Sequence, residues 1–447
     1  MNRQLLDGHI TKNLLSMTLS MGVGIFSVIT FNLADAYFVA KLGKIDLAAL
    51  SLTFPVVNFF FSLAMGAGFA VTAVVSKAIG EGDSESVKRY TSDGLTFGMI
   101  IVLICVTFGF LFLKPILKSL GATAETMPLA YDYMSIWLAG FVFLTIPMVG
   151  NGAIKAKGHM KTAAGLMVGS AFMNIILDPI FIFGFGPLPA MGMKGAAVAS
   201  VIARAATLVL SLGILHFKYR MISFKVPEIA TAIASWKKIT HIAIPISSTN
   251  ILSPLAIAVA TGMIARLGTT ELATYGIVSR LESFAFIFFF ALSNALGPFV
   301  GQNFGAKQYR RLFLSVNISF KMCFFWSAAA FVILYSFGRG LIGLFTPDLE
   351  MMNMGWIYLS LVPLSYPFFG IRVLSSTILS TIGEPIKAAY IAIVHFIFLF
   401  IPLISYGTFY YQFEGVAYAY FFTYLIIGFL CIFYVKYLLT KKLYASK

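Results

Sequence analysis

The stretch AKLGKIDLAAL, residues 40–50, recurs in the second half of the chain as ARLGTTELATY, residues 265–275. Between residue 40 and residue 265 the offset is 225 residues, and it aligns Gly43 with Gly268 and Asp46 with Glu271. Further correspondences follow in the same order at nearly the same offset: residues 79–83 with 303–307, Gly158 with Gly383, and residues 193–200 with 413–420. This ordered set of matches predicts that the chain is an internal repeat of two halves.

The composition is that of a membrane protein. The chain has 447 residues, of which 59% are hydrophobic and only 11% are charged, and its mean hydropathy is +0.90. A soluble domain carries about 25% charged residues, and a helix that crosses a bilayer needs about 20 mostly apolar residues. Twelve such stretches are centred near residues 27, 64, 101, 140, 173, 205, 252, 287, 324, 366, 396 and 426. The sequence therefore predicts an all-α polytopic membrane protein with twelve transmembrane helices and no separate soluble domain.

The net charge of +15 could indicate a nucleic-acid partner, but the placement of the charges argues against one. Most of the 32 Lys and Arg residues fall in every second loop and at the two ends of the chain. Such an excess of basic residues marks the cytoplasmic side of a membrane protein. We therefore expect a multi-pass protein of the inner (plasma) membrane with both termini in the cytoplasm, in contact with lipid and without nucleic acid.

The repeat also predicts the domain organisation. Because six is an even number of spans, both halves begin on the same side of the membrane and are related by a pseudo-twofold axis along its normal, with a central cleft. The predicted domains are an N-terminal six-helix lobe, residues 1–215, a basic cytoplasmic linker, residues 216–238, and a C-terminal six-helix lobe, residues 239–447.

Two carboxylates lie deep in the first half of the chain. Asp35 falls late in the first span and Asp178 late in the fifth, and the offset of 225 pairs them with Ala260 and Leu403. A charged side chain at the centre of a membrane helix costs about 2.5–3.5 kcal/mol on insertion scales. A requirement of the fold should have been met in both halves, so the asymmetry favours a function.

Helical spacing surrounds these acids with further oxygen atoms. Asn32 shares a helix face with Asp35, and Asn174 shares one with Asp178. Pro179 removes a backbone donor and so frees a carbonyl in the preceding turn. We predict an oxygen-rich proton or cation site at Asp35, Asn174 and Asp178. The alternative is that the two acids are structural and hold the first half together through hydrogen bonds.

Motifs of soluble chemistry do not occur in the sequence. There is no G-x-x-x-x-G-K-[ST] loop for ATP, no G-x-S-x-G and no H-E-x-x-H, and the five histidines lack zinc-ligand spacing. We therefore expect no enzyme activity, no cofactor and no bound metal apart from Na⁺ at Asp35, Asn174 and Asp178.

Four motifs together resemble those of multidrug and toxic compound extrusion (MATE) transporters. They are LADAYFVAKLG in span one, N-x-x-L-D-P-x-F-I-F-G in span five, G-x-x-G-A-A-x-A at the start of span six, and GQNFGA, residues 301–306. The likeness covers essentially the whole chain and is greatest to the bacterial branch typified by DNA-damage-inducible protein F.

The resemblance implies an antiporter that confers drug resistance by exporting amphipathic, often cationic organic compounds as H⁺ or Na⁺ enters. Asp35, Asn174 and Asp178 would couple the cation, and we expect H⁺ because a buried carboxyl can exchange a proton. Supporting or cavity-lining roles are assigned to Asn32, Tyr37, Asn58 and Arg204. A monomer is expected.

Three alternatives stay open at this point: a Na⁺-coupled drug antiporter, a flippase for lipid-linked molecules, and an intramembrane transferase. A flippase should carry many basic residues in its cavity, whereas the spans contain only Arg204, Arg280, Lys321 and Arg372. A transferase should carry a catalytic constellation, and none is found. Arg280 and Glu282 are two residues apart and do not face each other on a helix, so packing, gating and coupling remain possible roles for them.

Overall fold

The computed structural model describes residues 4–223 and 228–444, which are helical almost throughout; within them the one β contact is an isolated bridge between Phe185 and Leu188. The helices are α1 Gln4–Asp7, α2 Ile10–Ala40, α3 Lys44–Glu81, α4 Ser84–Ser119, α5 Thr126–Ala139, α6 Phe141–Ala156, α7 Met160–Phe183, α8 Met193–Gly213, α9 Ile229–Ala265, α10 Thr269–Gly305, α11 Tyr309–Gly343, α12 Leu349–Leu361, α13 Tyr366–Thr381, α14 Pro385–Ile393 and α15 Ile401–Tyr444. Short π-helical or 3₁₀ turns continue some of them: Ile214–Lys218 after α8, Val362–Ser365 between α12 and α13, and Val394–Phe400 between α14 and α15.

The helices account for the twelve predicted spans. Ten helical segments are long and apolar enough to cross a bilayer, and the pair α5 and α6, bent by 46° at Gly140, makes an eleventh. The segment Pro385–Tyr444 has 60 residues, far more than one crossing needs. Its backbone leaves the helical conformation at Gln412 (φ 51°, ψ −130°), so that it supplies two spans. The prediction of an all-α membrane protein with twelve transmembrane helices is confirmed.

Backbone turns recur between the two halves. Gly158 has φ 88° and its counterpart Gly383 has φ 90°. Gly192, just before α8, has φ 57°, and Gln412, at the corresponding place in the second half, has φ 51°. A positive φ is unfavourable for a residue that carries a Cβ. The positive φ at Gln412 shows that the backbone conformation is repeated in the second half even where the glycine is not.

Contacts divide the chain into two compact units. The N-terminal unit contains Ser20–Ser247, and the C-terminal unit joins the segment that ends at Leu19 to the segment that begins at Ser248. The described residues of the predicted linker, 216–223 and 228–238, lie within the N-terminal unit by this division. It is helical up to Lys218 and again from Ile229, and residues 224–227 lie outside the described part of the chain.

In the N-terminal unit, α3 and α6 approach each other through glycines. A Cβ on Gly152 would clash with the carbonyl oxygen of Gly68, and the hydroxyl of Thr72 donates to the carbonyl of Gly152 at 3.1 Å. Small residues allow membrane helices to pack at such short distances, where van der Waals contact replaces the hydrophobic effect. This contact fixes α3 against α6 in the interior of the unit.

We expect Gly152→Ala to destabilise the protein by about 1–3 kcal/mol, because the added methyl group meets backbone that must move apart. Gly169→Ala is the matched control, since a Cβ there meets nothing within 4 Å and alanine favours the helix. The measurement is the apparent melting temperature of each variant in detergent. Equal melting temperatures for the two variants would contradict the proposed close contact.

Candidate cation-coupling site

The structure buries all three predicted coupling residues in the N-terminal unit. Asp35 on α2 is 7% exposed, and Asn174 and Asp178 on α7 are 1% and 0% exposed. Asn174 precedes Asp178 by one helical turn, so the amide and the carboxyl lie on the same side of α7. Pro179 follows immediately inside the helix. The spacing that predicted this face from the sequence is thus realised as a buried polar face.

Four oxygen atoms of these residues have no hydrogen-bond partner in the part of the chain that the structure describes. The Nδ2 atom of Asn174 donates to the Oγ atom of Ser200 on α8 at 3.2 Å. Within the described chain, the Oδ1 atom of Asn174, the Oδ1 atom of Asp35 and both carboxyl oxygens of Asp178 are buried and have no partner at hydrogen-bond distance, although the neighbouring Asn174 amide interacts with the Asp178 carboxyl. An unsatisfied buried polar group costs about 1–3 kcal/mol and calls for an explanation. A proton or a cation bound among these oxygens would supply the missing partner.

The charges around the acids are only partly balanced. Asp35 and Asp178 repel each other when both are ionised, while Arg204 on α8 attracts Asp35. Among the described residues no salt bridge, with N···O at 4.0 Å or less, includes any of these three side chains. The guanidinium of Arg204 instead lies over the ring of Trp137 at 5.6 Å. Arg204, which was assigned a supporting role, therefore attracts Asp35 without forming an ion pair with it among the described residues.

Sequence reasoning missed the contribution of α5 to the site. Trp137 is 1% exposed and is packed against Phe60 and Phe141, with ring centroids 6.4 and 5.5 Å away. Tyr133, one helical turn earlier, is buried and interacts electrostatically with Asp35 and Arg204. The spacing of Tyr133 and Trp137 marks them as one helix face, but nothing local in the sequence indicates which helix that face meets.

Three predicted supporting residues are exposed and do not join the buried cluster. They are Asn32, Tyr37 and Asn58. Asn32 is three residues before Asp35, an offset of about 60° around a helix, and here that angle separates an exposed side chain from a buried one. Tyr37 is 58% exposed, and the Nζ atom of Lys41 lies 4.6 Å from its ring centre.

The C-terminal unit contains a buried carboxyl of a different kind. Glu282 on α10 is 5% exposed and accepts a hydrogen bond from Tyr358 at its Oε2 atom and one from Tyr366 at its Oε1 atom, both at 3.0 Å. Tyr358 belongs to α12 and Tyr366 begins α13, so the two donors flank the 3₁₀ turn between those helices. Glu282 thus joins three helical segments, which favours packing among the roles that the sequence left open.

The fold and the site define a class of protein. Two six-helix halves cross the membrane, and within the described residues buried acids whose oxygens lack partners lie in the N-terminal half alone. Intramembrane acids of this kind carry protons or cations in secondary transporters, and internal repeats are common in transporter folds. The chain has the architecture of a secondary membrane transporter.

Comparison with known proteins identifies the family. The MatE family model matches residues 21–180 and again residues 245–405, which reproduces the internal repeat. The chain belongs to the MatE family of transporters. It is 33% identical to the FAD transporter of Shewanella oneidensis over 96% of this chain and 94% of the relative. It is 26% identical to the multidrug export protein MepA of Staphylococcus aureus over 86% of this chain and 84% of that protein.

A solved structure agrees with the fold in detail. The crystal structure of the Vibrio cholerae MATE transporter VcmN in the bent form superimposes with a TM-score of 0.91. The match covers 97% of this chain and 98% of VcmN, at 27% identity. The twelve spans in two repeated halves are therefore those of a MATE transporter.

Proposed function

We propose that the protein is a proton-coupled antiporter that exports amphipathic organic compounds, with Asp35 and Asp178 as the groups that carry the proton. The observation that carries the proposal is the pair of buried, electrostatically coupled carboxyls, three of whose four oxygens lack a hydrogen-bond partner within the described chain. Two acids close together in a site of low dielectric cannot both be ionised at low cost, so one of them tends to hold a proton. The excess of basic residues in alternate loops supports an orientation with both termini in the cytoplasm. We place the protein in the inner membrane.

Sodium remains the alternative coupling ion. The unpartnered oxygens of Asp35, Asp178 and Asn174 are also the kind of ligand that a small hard cation takes. A proton needs only one of them, whereas Na⁺ needs several at once. H⁺ is proposed because one carboxyl oxygen suffices for it.

The energy of one proton is sufficient for export. Moving one elementary charge through ~150 mV releases about 3.5 kcal/mol, at ~2.3 kcal/mol per 100 mV. Since 1.36 kcal/mol is a factor of ten, one proton can support a cargo gradient of several hundredfold. Coupling by a single carboxyl therefore requires no further source of energy.

The names of the relatives suggest candidate cargoes for this protein. One relative is named a multidrug export protein and the other an FAD transporter. Organic cations are the first candidate cargo. A phosphate-bearing flavin is the second, and the observation that favours it in this chain is an exposed arginine in α10, described below. The flippase alternative is not proposed, because the family that matches is MatE.

We expect everted vesicles that contain the protein to accumulate ethidium when the lumen is acidic and Na⁺ is absent. Because the proton gradient supplies the energy, a protonophore should abolish the accumulation. The measurement is ethidium fluorescence in vesicles with the protein and in matched vesicles without it. A strict requirement for Na⁺, with no response to the proton gradient, would replace H⁺ by Na⁺ as the coupling ion.

A further inference from the structure

Arg280 is exposed deep within a membrane-spanning helix and has no partner among the described residues. It lies in α10, about 16 Å from the first residue of that helix at ~1.5 Å per residue. Arg280 is exposed, and within the described residues its guanidinium makes no salt bridge, hydrogen bond or ring contact. An arginine that faced lipid at such a depth would cost about 2.5–3.5 kcal/mol or more. Its five donors therefore need water or an anionic ligand.

The helix face that carries Arg280 is polar as well as aromatic. Ser283 and Phe284 follow Arg280 on the same side of α10 by helical spacing, and both are exposed; Asn294, farther along that side, is only partly exposed. Phe284 is 48% exposed. Lipid-facing stripes of membrane helices are apolar, and polar residues in spans usually face protein or water. This face of α10, which we call the Arg280 face, therefore has the composition of a surface that meets a cargo.

Lys321 is another basic residue within a span, but its surroundings differ from those of Arg280. It is also exposed and also lies inside a span, α11, but the exposed residues on its side of the helix are apolar: Leu314, Phe325, Ala328 and Val332. A lysine with this setting can extend its long side chain toward the headgroups. The surroundings, rather than the charge, distinguish the Arg280 face from a lipid-facing stripe.

The repeat shows which part of this face belongs to the fold. At the offset of 225 residues, Ser283 corresponds to Asn58 and Phe284 to Phe59, and all four are exposed. Arg280 corresponds to Pro55, so the cation is present in one half only. The exposed polar and aromatic face recurs in both units, whereas the guanidinium is an addition to the C-terminal unit.

We propose that Arg280 recognises the phosphate of an aromatic cargo on the Arg280 face of the C-terminal unit. A guanidinium presents its donors in a planar fork that fits two phosphate oxygens at once, and the exposed ring of Phe284 offers a surface on which an aromatic system stacks. Glu282 does not neutralise Arg280, because the carboxyl is buried and both of its oxygens accept hydrogen bonds from tyrosines. The inference rests on the proposed export function and names one class of its cargo, aromatic phosphates.

The test compares flavin mononucleotide with riboflavin, which has the same ring system without the phosphate, and with ethidium as a cation. Everted vesicles with the wild-type protein, Arg280→Gln, Arg280→Lys or the control Lys321→Gln are energised with an acidic lumen. We expect Arg280→Gln to lower uptake of flavin mononucleotide at least about tenfold, as loss of charge-assisted hydrogen bonds implies. Uptake of ethidium and riboflavin should change less than about twofold. Arg280→Lys should retain part of the uptake of flavin mononucleotide, and Lys321→Gln should match the wild-type protein for all three compounds.

Each other result overturns the inference. Wild-type vesicles that take up ethidium but not flavin mononucleotide would leave the export function standing and remove the aromatic phosphate as cargo. An equal loss of all three compounds in Arg280→Gln would assign Arg280 to helix packing or to a lipid phosphate. Vesicles that transport none of the compounds under a proton gradient would instead count against the export function itself.

Discussion

We expect Asp35→Asn to reduce proton-driven ethidium uptake at least about a hundredfold, to the level of vesicles without the protein. Asparagine has nearly the volume of aspartate but cannot carry a proton at its side chain. Asp35 is buried beside Asp178 and has an unpartnered carboxyl oxygen. Folding should be retained, because the substitution replaces a costly buried charge by a neutral amide. The measurements are uptake into everted vesicles and the elution profile of the detergent-solubilised variant.

Asp132→Asn is the control for this substitution. Asp132 lies in the same unit, and its exposed carboxylate forms a salt bridge with Lys194 at 3.0 Å. Exposed pairs of this kind contribute about 0–1 kcal/mol, so uptake should stay close to that of the wild-type protein. Full uptake by a well-expressed Asp35→Asn protein would remove Asp35 from the coupling mechanism and leave Asp178 to be tested in the same way.

The second large effect concerns stability. We expect Glu282→Ala to lower the free energy of unfolding by about 2–6 kcal/mol, because it leaves the hydroxyls of Tyr358 and Tyr366 buried without an acceptor, at about 1–3 kcal/mol each. The loss should also free the two segments that meet at the 3₁₀ turn between α12 and α13. The measurement is thermal unfolding in detergent, followed by the fluorescence of a thiol-reactive dye at the buried cysteines.

Glu282→Gln separates lost hydrogen bonds from lost volume. Glutamine fills nearly the same space, its Oε1 atom can accept from one tyrosine, and its amide can donate to the other hydroxyl. It should therefore be clearly more stable than Glu282→Ala. If both variants melt at the temperature of the wild-type protein, the two tyrosine contacts do not hold the C-terminal unit together.

Much of the architecture could be predicted from the sequence, because it follows from local composition. The twelve spans appear as apolar stretches, since a helix must present an apolar surface to lipid along its whole crossing. The repeat appears as matched segments such as residues 40–50 and 265–275. Asp35 and Asp178 are conspicuous because acids are rare in membrane helices, and helical spacing adds Asn174 to Asp178.

The surroundings of these acids could not be predicted in the same way. Tyr133 and Trp137 lie in α5, far along the chain from Asp35, and only the packing of α5 brings them to the site. Asn32 was predicted on the face of Asp35 but is exposed, because two residues one turn apart can straddle the edge of a buried surface. Likewise, nothing in the sequence around Glu282 indicated that tyrosines of two other helices would bind its carboxyl.

The sequence by itself determined that this protein is a twelve-span membrane protein built from two repeated halves, with acids in the first half. These properties depend on the residues within each helix, because the apolar composition of a segment decides whether it can span a bilayer. The tertiary structure alone decided which polar atoms found partners on other helices: Glu282 gained two hydroxyl donors, whereas Asp178 gained none from another helix in the described chain. The physical reason is that hydrogen bonds and ion pairs act over a few ångströms, so they depend on how distant helices pack and not on spacing along one helix.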